Sequence, residues 1–345
     1  MRTTKQLPPQ PGASTTVMAL LSLSLLLLRL LLRLRLAAFR DAALSLNLLA
    51  RVRLRPVLLR LHGNGAATVI RVWCPAAASS KPPLLLLHGF GGDAKWTWAR
   101  NLPSLARGFH VYAPDLLFFG AHSSRSASPL RSVAFQAKCA ADAMRLLGVR
   151  RYDVAGISYG GFVAYRMAAV EARDQVGRVV VMTSGVAAAP GEMREMADRE
   201  ERTVEEALLP ETAEGLRFLV RRSMHRPPPW MPDFVLHDFI QLMCVNQRKE
   251  RAELLQELIM NGAGMDPLPV LTQETLIIWG DKDRVFPVDL GHRLHRHLGE
   301  KSRLEIVKDA GHALQLEGAG EVNRLIKSFL LHERNGPACG LGRKL

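Results

Sequence analysis

The chain has 345 residues, of which 48% are hydrophobic and 23% are charged. This size and balance suit a full α/β core with an inserted subdomain, and they exclude a disordered chain. The formal net charge of +14 would suit a nucleic-acid or membrane partner. Ten of the basic residues, however, lie in residues 1–60 against a single acid, Asp41. The rest of the chain has no basic stripe interleaved with aromatic residues, so we expect no nucleic-acid partner.

Residues 1–50 form a basic, apolar N-terminal arm. Val17–Leu28 is a run of twelve uncharged residues, and the apolar pattern continues to Phe39 with arginines interspersed. Because a spanning helix needs about twenty residues, the arm suits a tilted or partly embedded anchor with snorkelling arginines. We therefore expect membrane association through residues 17–39, with a cytoplasm-facing body. The alternatives are a cleaved plastid or mitochondrial transit peptide, a secretory signal or plain disorder.

Beyond the arm, short apolar runs alternate with helical patterns. Leu58–Leu61 and Thr68–Trp73 flank Gly63-Asn64-Gly65 and predict an opening hairpin. Helical patterns lie between most of the later runs, which indicates a doubly wound, mostly parallel sheet. The six buried strands predicted for this sheet are Leu84–Leu87, Phe109–Ala113, Tyr152–Ala155, Arg178–Met182, Leu276–Trp279 and Leu304–Val307.

The alternation stops between about Ser184 and Thr272, where the chain is helical and charged. This stretch is too long for a connection in a compact domain, so 185–272 is predicted to be an inserted helical cap. It divides a core of 51–184 and 273–333, and 334–345 is left as a tail. Apolar cap residues either roof an active site or form the cap's own core: Leu216, Phe218, Leu219, Trp230, Phe234, Phe239, Leu242 and Met243.

Gly156-Ile157-Ser158-Tyr159-Gly160 places a serine between a predicted strand and a predicted helix at 161–169. In such an elbow the hydroxyl stands clear of the sheet, and small flanking residues let the backbone double back. A serine hydroxyl becomes a good nucleophile only beside a histidine that is itself held by an acid. Candidates follow the last two predicted strands: Asp281 and Asp283 after one, His312 after the other. This is the edge where open α/β sheets assemble their sites.

A glycine-rich loop, His88-Gly89-Phe90-Gly91-Gly92, follows the first predicted parallel strand. Such a loop can aim a backbone N–H at a carbonyl oxygen. Together with the N–H of the residue after the nucleophile, it would form an oxyanion hole. We expect His88 itself to brace the loop, since one triad needs one base.

With these motifs in this order, the chain resembles the α/β-hydrolase superfamily over about residues 55–332. The resemblance implies Ser158 as nucleophile, Asp283 as acid and His312 as base. It also implies that the amides of Phe90 and Tyr159 form the oxyanion hole. Within the superfamily the chain looks most like membrane-anchored monoacylglycerol lipases and meta-cleavage-type hydrolases.

One turn departs from the family pattern. Asp115-Leu116-Leu117-Phe118-Phe119-Gly120 stands where an Asp-x-Pro-Gly-x-Gly turn is usual. We therefore expect the loop on one side of the pocket to be more apolar and differently shaped. This departure affects the transfer of substrate preference and leaves the chemistry unchanged.

No metal or cofactor is predicted. Cys74, Cys139, Cys244 and Cys339 are scattered without a Cys-x-x-Cys pair, which suggests neither a disulfide framework nor a zinc site. Three histidines at 292, 295 and 297 share a helical pattern, but no acid or cysteine completes a metal site. The better interpretation of that pattern is a solvent-exposed helix face.

Three functions stay open at this point. The first is serine hydrolysis of carboxylic esters, with lipid-like esters such as monoacylglycerols favoured by the arm and the apolar cap. The second is hydrolysis of a carbon–carbon bond in a diketone-like substrate by the same triad, with Arg221, Arg222 and Arg226 as candidates to hold an acidic substrate. The third is a small-molecule receptor on a hydrolase scaffold, against which the intact Ser-Asp-His set argues.

Overall fold

The structure is a computed structural model that describes Met18, Ser22 and residues 35–61, 67–120, 124–189, 191–198 and 202–332. Most of the predicted anchor at 17–39, the predicted turn Gly63-Asn64-Gly65 and the predicted tail at 334–345 lie outside these residues. Within the described ranges, no helix has both the length and the apolar character needed to cross a bilayer.

A nine-stranded sheet forms the centre of the fold. The main path has the order β1-β2-β4-β3-β6-β7-β8-β9, and β5 pairs with β2. β1 and β2 form an antiparallel hairpin, and the path from β4 to β9 is parallel, so the predicted sheet is confirmed. The strands are β1 (Leu54–Leu61), β2 (Thr68–Pro75), β3 (Pro83–Leu87), β4 (His110–Pro114), β5 (Arg125–Ser126), β6 (Tyr152–Ile157), β7 (Val176–Met182), β8 (Thr275–Gly280) and β9 (Ser302–Val307).

The central strands are predominantly apolar because helices cover the sheet on both faces. Every residue of β6 and of β8 is buried. Alternate residues of one strand enter different apolar clusters: Leu85 and Leu87 of β3 pack in one, while Leu84 and Leu86 pack in the other. The carboxyl ends of the parallel strands meet at one edge, where the predicted site residues follow.

Helices cover the sheet and build the cap. The cap lies between β7 and β8 and comprises helices α6 to α10. The helices are α1 (Leu36–Asn47), α2 (Ala94–Trp98), α3 (Leu102–Gly108), α4 (Val133–Leu146), α5 (Tyr159–Arg166), α6 (Glu192–Asp198), α7 (Val204–Leu208), α8 (Ala213–Ser223), α9 (Asp233–Met243), α10 (Arg248–Asn261), α11 (Val288–Leu298), α12 (Leu314–Glu317) and α13 (Ala319–Lys327).

The cap has an apolar core of its own between α8 and α9. Leu216 and Met243, two of the residues considered for the roof, are buried there. Trp230, a third, is 78% exposed. A capping box at Thr203 and Glu206 begins α7. Most of these apolar cap residues thus belong to the cap's interior or to its surface.

Helix α1 ties the cap to the core. Asp238 of α9 accepts a hydrogen bond from the Ala37 N–H at 2.6 Å, at the start of α1. Asp41 of α1 accepts bonds from Lys95 Nζ at 2.5 Å and from Trp96 Nε1 at 2.8 Å. Residues 36–47, assigned from the sequence to the N-terminal arm, are therefore packed against both parts of the body.

Candidate active site

Ser158 stands on the turn between β6 and α5, with φ 52° and ψ −118°. A non-glycine residue held at positive φ is strained, which is typical of a nucleophile elbow. The turn is possible because Gly160 and Gly161, which follow it, lack side chains. A Cβ on Gly160 would lie 2.6 Å from the His88 carbonyl oxygen, and one on Gly161 would lie 2.5 Å from Ser184 Cβ.

His312 and Asp283 meet across the loops after β9 and β8. His312 Nδ1 lies 2.9 Å from Asp283 Oδ2, and the Asp283 side chain is fully buried. Asp283 Oδ1 accepts the N–H groups of Val285 at 2.8 Å and Phe286 at 3.0 Å. Because both oxygens are occupied, the carboxylate is fixed in orientation. It therefore holds the imidazole with Nε2 available for another partner.

Asp281, the other candidate acid, faces away from His312. Its carboxylate pairs with Lys282 at 3.2 Å, and Oδ1 accepts the Ala310 N–H at 3.4 Å. This is the local backbone role expected for it from the sequence.

The glycine-rich loop packs directly on the elbow. A Cβ on Gly89 would lie 3.3 Å from Ser158 Cβ, so the loop approaches the serine closely. His88 braces the loop: its Nδ1 lies 2.8 Å from the Gly89 carbonyl oxygen, and its Nε2 accepts the Leu116 N–H at 2.9 Å. Burial lowers the pKa of His88, so the ring is neutral and keeps one donor and one acceptor. Among the described residues, neither the Phe90 nor the Tyr159 amide has an acceptor.

A buried ionic cluster lies behind this loop. Lys95 contacts Asp41 at 2.5 Å and Asp93 at 3.6 Å, while Arg71 contacts Asp115 at 2.5 Å and Asp93 at 3.9 Å. Three carboxylates thus face two cations. Burial, with Asp115 nearby, raises the pKa of Asp93 to about 6. The cluster links helix α1 to the segment that follows the glycine-rich loop.

Ser158 and His312 share a cavity of about 120 Å³. Among the residues that the structure describes, Arg222 is the only arginine, lysine, aspartate or glutamate that lines the cavity. The remaining walls are mainly aliphatic, sulfur-containing and aromatic: Phe90, Tyr159, Phe162, Met193, Met196, Val204, Ala207, Leu208, Leu219, Ser223, Leu255, Leu258, Ile259, Val285 and Phe286. Such walls suit an apolar group next to the serine.

The structure decides between the two interpretations of the apolar cap residues, and it corrects the expectation that the turn at 115–120 lines the pocket. Of the eight cap residues considered for the roof, Leu219 alone lines the cavity. The turn at 115–120 does not line it either, because its apolar side chains point into the core. Phe119 packs edge-on against Phe90, with ring centroids 5.0 Å apart, and it lies behind the cavity wall.

Helix α10 supplies one wall of the cavity, and this wall was not predicted from the sequence. Leu255, Leu258 and Ile259 line the cavity at helical spacing, three and four residues apart. This i, i+3, i+4 pattern was the available signal for an apolar helix face. Glu317, five residues after His312, was also missed, and its contacts are described below.

The arginines considered for an acidic substrate separate in space. Arg222 lines the cavity, whereas Arg226 lies 3.6 Å from Asp309 and Arg221 is exposed on α8. In the histidine-rich helix α11, His295 Nδ1 lies 2.7 Å from Ser302 Oγ. No group of three or more possible metal ligands occurs in the described part of the chain.

Known proteins share this architecture. The chain is 28% identical over 261 residues to a 2-hydroxy-6-oxononadienedioate/2-hydroxy-6-oxononatrienedioate hydrolase from Pseudomonas sp., covering 74% of this chain and 89% of that protein. It is 27% identical over 255 residues to Lipase 1 of Psychrobacter immobilis, covering 72% and 76% respectively. A membrane phospholipase A, described as a bacterial virulence factor, superposes with a TM-score of 0.71 at 26% identity, over 93% of this chain and 98% of that one.

These relatives are hydrolases, and the chain is likewise an enzyme of the α/β-hydrolase type. A sequence model of the family described as the alpha/beta hydrolase fold matches residues 82–319. That match covers the glycine-rich loop, the elbow, the cap and both loops that carry Asp283 and His312. The chain belongs to the alpha/beta hydrolase fold family.

Proposed function

We propose that this protein is a serine hydrolase that cleaves carboxylic esters of apolar, lipid-like acids. The observation that carries the proposal is the pairing of Ser158 and His312 in one largely apolar cavity, with His312 held by the buried Asp283. A nucleophile, a base and an orienting acid are the three parts that acyl transfer to serine requires.

In the proposed mechanism the ester carbonyl enters beside Ser158. His312 Nε2 accepts the Ser158 proton as Oγ attacks the carbonyl carbon, and the Phe90 and Tyr159 amides donate to the developing oxyanion. His312 then protonates the leaving alcohol, which departs and leaves an acyl-enzyme. Water, activated by the same nitrogen, attacks the acyl-enzyme and releases the acid. Asp283 stays ionised throughout and stabilises the imidazolium.

The lining favours an acyl chain over a polar acid. Met193 and Met196 of α6 line the cavity together with Leu255 and Leu258 of α10, and methionine adapts readily to flexible alkyl chains. Burial of each CH₂ group contributes about 0.8 kcal/mol, so longer acyl chains should bind more tightly until the cavity is filled. The lipase and phospholipase relatives carry names that agree with this substrate class.

An active-serine phosphonate probe and a panel of esters test the proposal. Ser158→Ala should lose both ester hydrolysis and labelling, whereas Ser79→Ala, in the exposed loop before β3, should keep both. Persistent labelling of Ser158→Ala would reject the serine assignment. A strict preference for acetyl esters would reject the lipid-like substrate class.

Carbon–carbon bond hydrolysis is the second candidate. It is supported by the relative named for a dienedioate substrate and by Arg222, which places one cation in the cavity wall. Faster turnover of a diketone-like acid than of any ester, abolished by Arg222→Ala, would favour it. A receptor role would instead be favoured by ligand-dependent partner binding that survives Ser158→Ala.

We also propose that the protein works at a membrane surface, with its body facing the cytoplasm. The uncharged run Val17–Leu28 precedes α1 in the sequence, and on α1 Phe39 is 74% exposed and Leu46 is 65% exposed. Arg35, just before this helix, and Arg40, within it, are also exposed, which suits anionic headgroups. The full chain should sediment with anionic vesicles, and a chain starting at residue 35 should do so less. Equal recovery of both forms in the supernatant would reject the proposal and favour a cleaved targeting peptide.

A further inference from the structure

One carboxylate joins the cap to the loop of His312. Glu317, the last residue of α12, accepts the Gly311 N–H on Oε2 at 2.8 Å. The same oxygen accepts the His225 N–H at 3.1 Å, and Oε1 accepts the Arg226 N–H at 2.8 Å. His225 and Arg226 follow the end of cap helix α8. A single side chain therefore holds backbone donors from both parts of the protein.

The two segments touch directly as well. The Ala313 N–H donates to the Ser223 carbonyl oxygen at 2.8 Å. A Cβ on Gly311 would lie 2.8 Å from the His225 nitrogen and 2.9 Å from the Ser223 oxygen, so the backbones approach too closely for a side chain. Contacts to the cap thus flank His312 on both sides in sequence.

We infer that Glu317 is a positioning residue that couples the position of the cap on the core to the position of His312. The inference rests on the proposed function in one respect, that His312 acts as the base. Hydrogen bonds to a charged acceptor are stronger than neutral ones, and here two of them share one oxygen. A cap that moves away takes two of the three donors with it. The carboxylate is then free to rotate, and the Gly311 amide loses its fixed acceptor.

Replacing Glu317 tests the coupling. Glu317→Ala should lower kcat for a short, soluble ester on the order of 100-fold, the loss expected when a reacting group moves by about 1 Å. Glu317→Gln keeps one acceptor oxygen and should lose less. Glu321→Ala is the matched control, because Glu321 is an exposed glutamate one turn along that pairs with Arg324 on its own helix. It should retain the wild-type kcat.

The cap side of the contact can be broken separately. Arg226→Pro removes the N–H that donates to Glu317, whereas Arg226→Ala keeps it and removes only the guanidinium near Asp309. Arg226→Pro should raise KM for a long-chain ester about tenfold, the equivalent of one hydrogen bond to a charged group. Because the proposed coupling runs through Glu317, Arg226→Pro should also lower kcat for the short ester, by less than Glu317→Ala does, whereas Arg226→Ala should change neither constant.

The outcomes separate the coupling from the proposed function. Absence of ester hydrolysis in the wild type, or its persistence in Ser158→Ala, rejects the proposed function. An active wild type whose Glu317→Ala and Glu317→Gln variants keep the kcat of Glu321→Ala overturns the coupling. The coupling is also overturned if kcat falls only in proportion to the folded fraction, measured by circular dichroism. If Glu317→Ala fails to fold, Glu317→Gln decides.

Discussion

Removing the Asp41 carboxylate should destabilise the whole body, although Asp41 belongs to the segment that the sequence suggested was an arm. The Lys95 side chain is 2% exposed, and its Nζ lies 2.5 Å from Asp41 Oδ1. Asp41→Ala leaves that ammonium buried, with Asp93 at 3.6 Å as its remaining partner. The Trp96 indole N–H loses its acceptor in the same step.

The expected decrease in the free energy of unfolding follows from these contacts. Removing one partner of a buried ion pair costs about 3 to 5 kcal/mol, because the other charge stays desolvated. Asp93 offsets part of this cost, so we expect about 3 kcal/mol for Asp41→Ala, the lower end of that range. Such a loss is a large fraction of the total stability of an ordinary protein, about 5 to 15 kcal/mol.

Urea denaturation followed by circular dichroism measures the effect, and Asp142→Ala is the matched control. The two aspartates are similarly exposed, 18% for Asp41 and 17% for Asp142. Asp142, however, pairs with Lys138 and Arg145, which are 41% and 47% exposed. Exposed pairs contribute less than about 1 kcal/mol, so the control should unfold near the wild-type urea concentration. Equal midpoints for the two variants would refute the reasoning.

Three further outcomes are expected. Burial raises the pKa of Asp93 to about 6, so the folded state binds its proton more tightly than the unfolded state, and stability from this group is lost as pH rises from about 4 through 6. Asp93→Asn should therefore gain urea resistance relative to the wild type at pH 8 but not at pH 4.5. Gly160→Ala would overlap the carbonyl oxygen at the end of β3 and should abolish activity, whereas Gly320→Ala, with open space around it, should not. Asp283→Asn should lower kcat by about four orders of magnitude and Asp281→Asn by less than tenfold, which steady-state kinetics distinguishes.

The positions of Ser158, Asp283 and His312 were predictable because each one obeys a local rule. Ser158 needs glycines on both sides of its turn, and His312 and Asp283 must follow strands that end at one edge. Those constraints act over a few residues and are readable in any single sequence. The strand limits also agreed within a few residues, because buried parallel strands are predominantly apolar. The two-residue strand β5 was too short to leave any periodic signal.

The residues around Ser158, Asp283 and His312 were not predictable in the same way. Met193 and Leu255 line the cavity because two cap helices meet above the elbow, and that meeting depends on tertiary packing. Trp230 looked equally suitable in sequence and lies on the surface. Glu317 and Asp238 bind backbone groups of distant segments, and backbone partners leave no pattern in the side chains. Asp41 gave one signal, as the only acid among many arginines, but its partner Lys95 lies far along the chain.

The cap is attached at two places, by Asp238 to helix α1 and by the amides of His225 and Arg226 to Glu317, and this has a consequence for exchanging caps between relatives. Each attachment needs a group outside 185–272: the amide of Ala37 for the first and the carboxylate of Glu317 for the second. If this cap were grafted alone onto a relative, Asp238 would lack the helix α1 amide that it binds. If a relative's cap were grafted onto this body, Glu317 would lack the cap amides that donate to it. Chimeras of this enzyme should therefore take residues 35–50, residues 309–317 and the cap from the same parent protein.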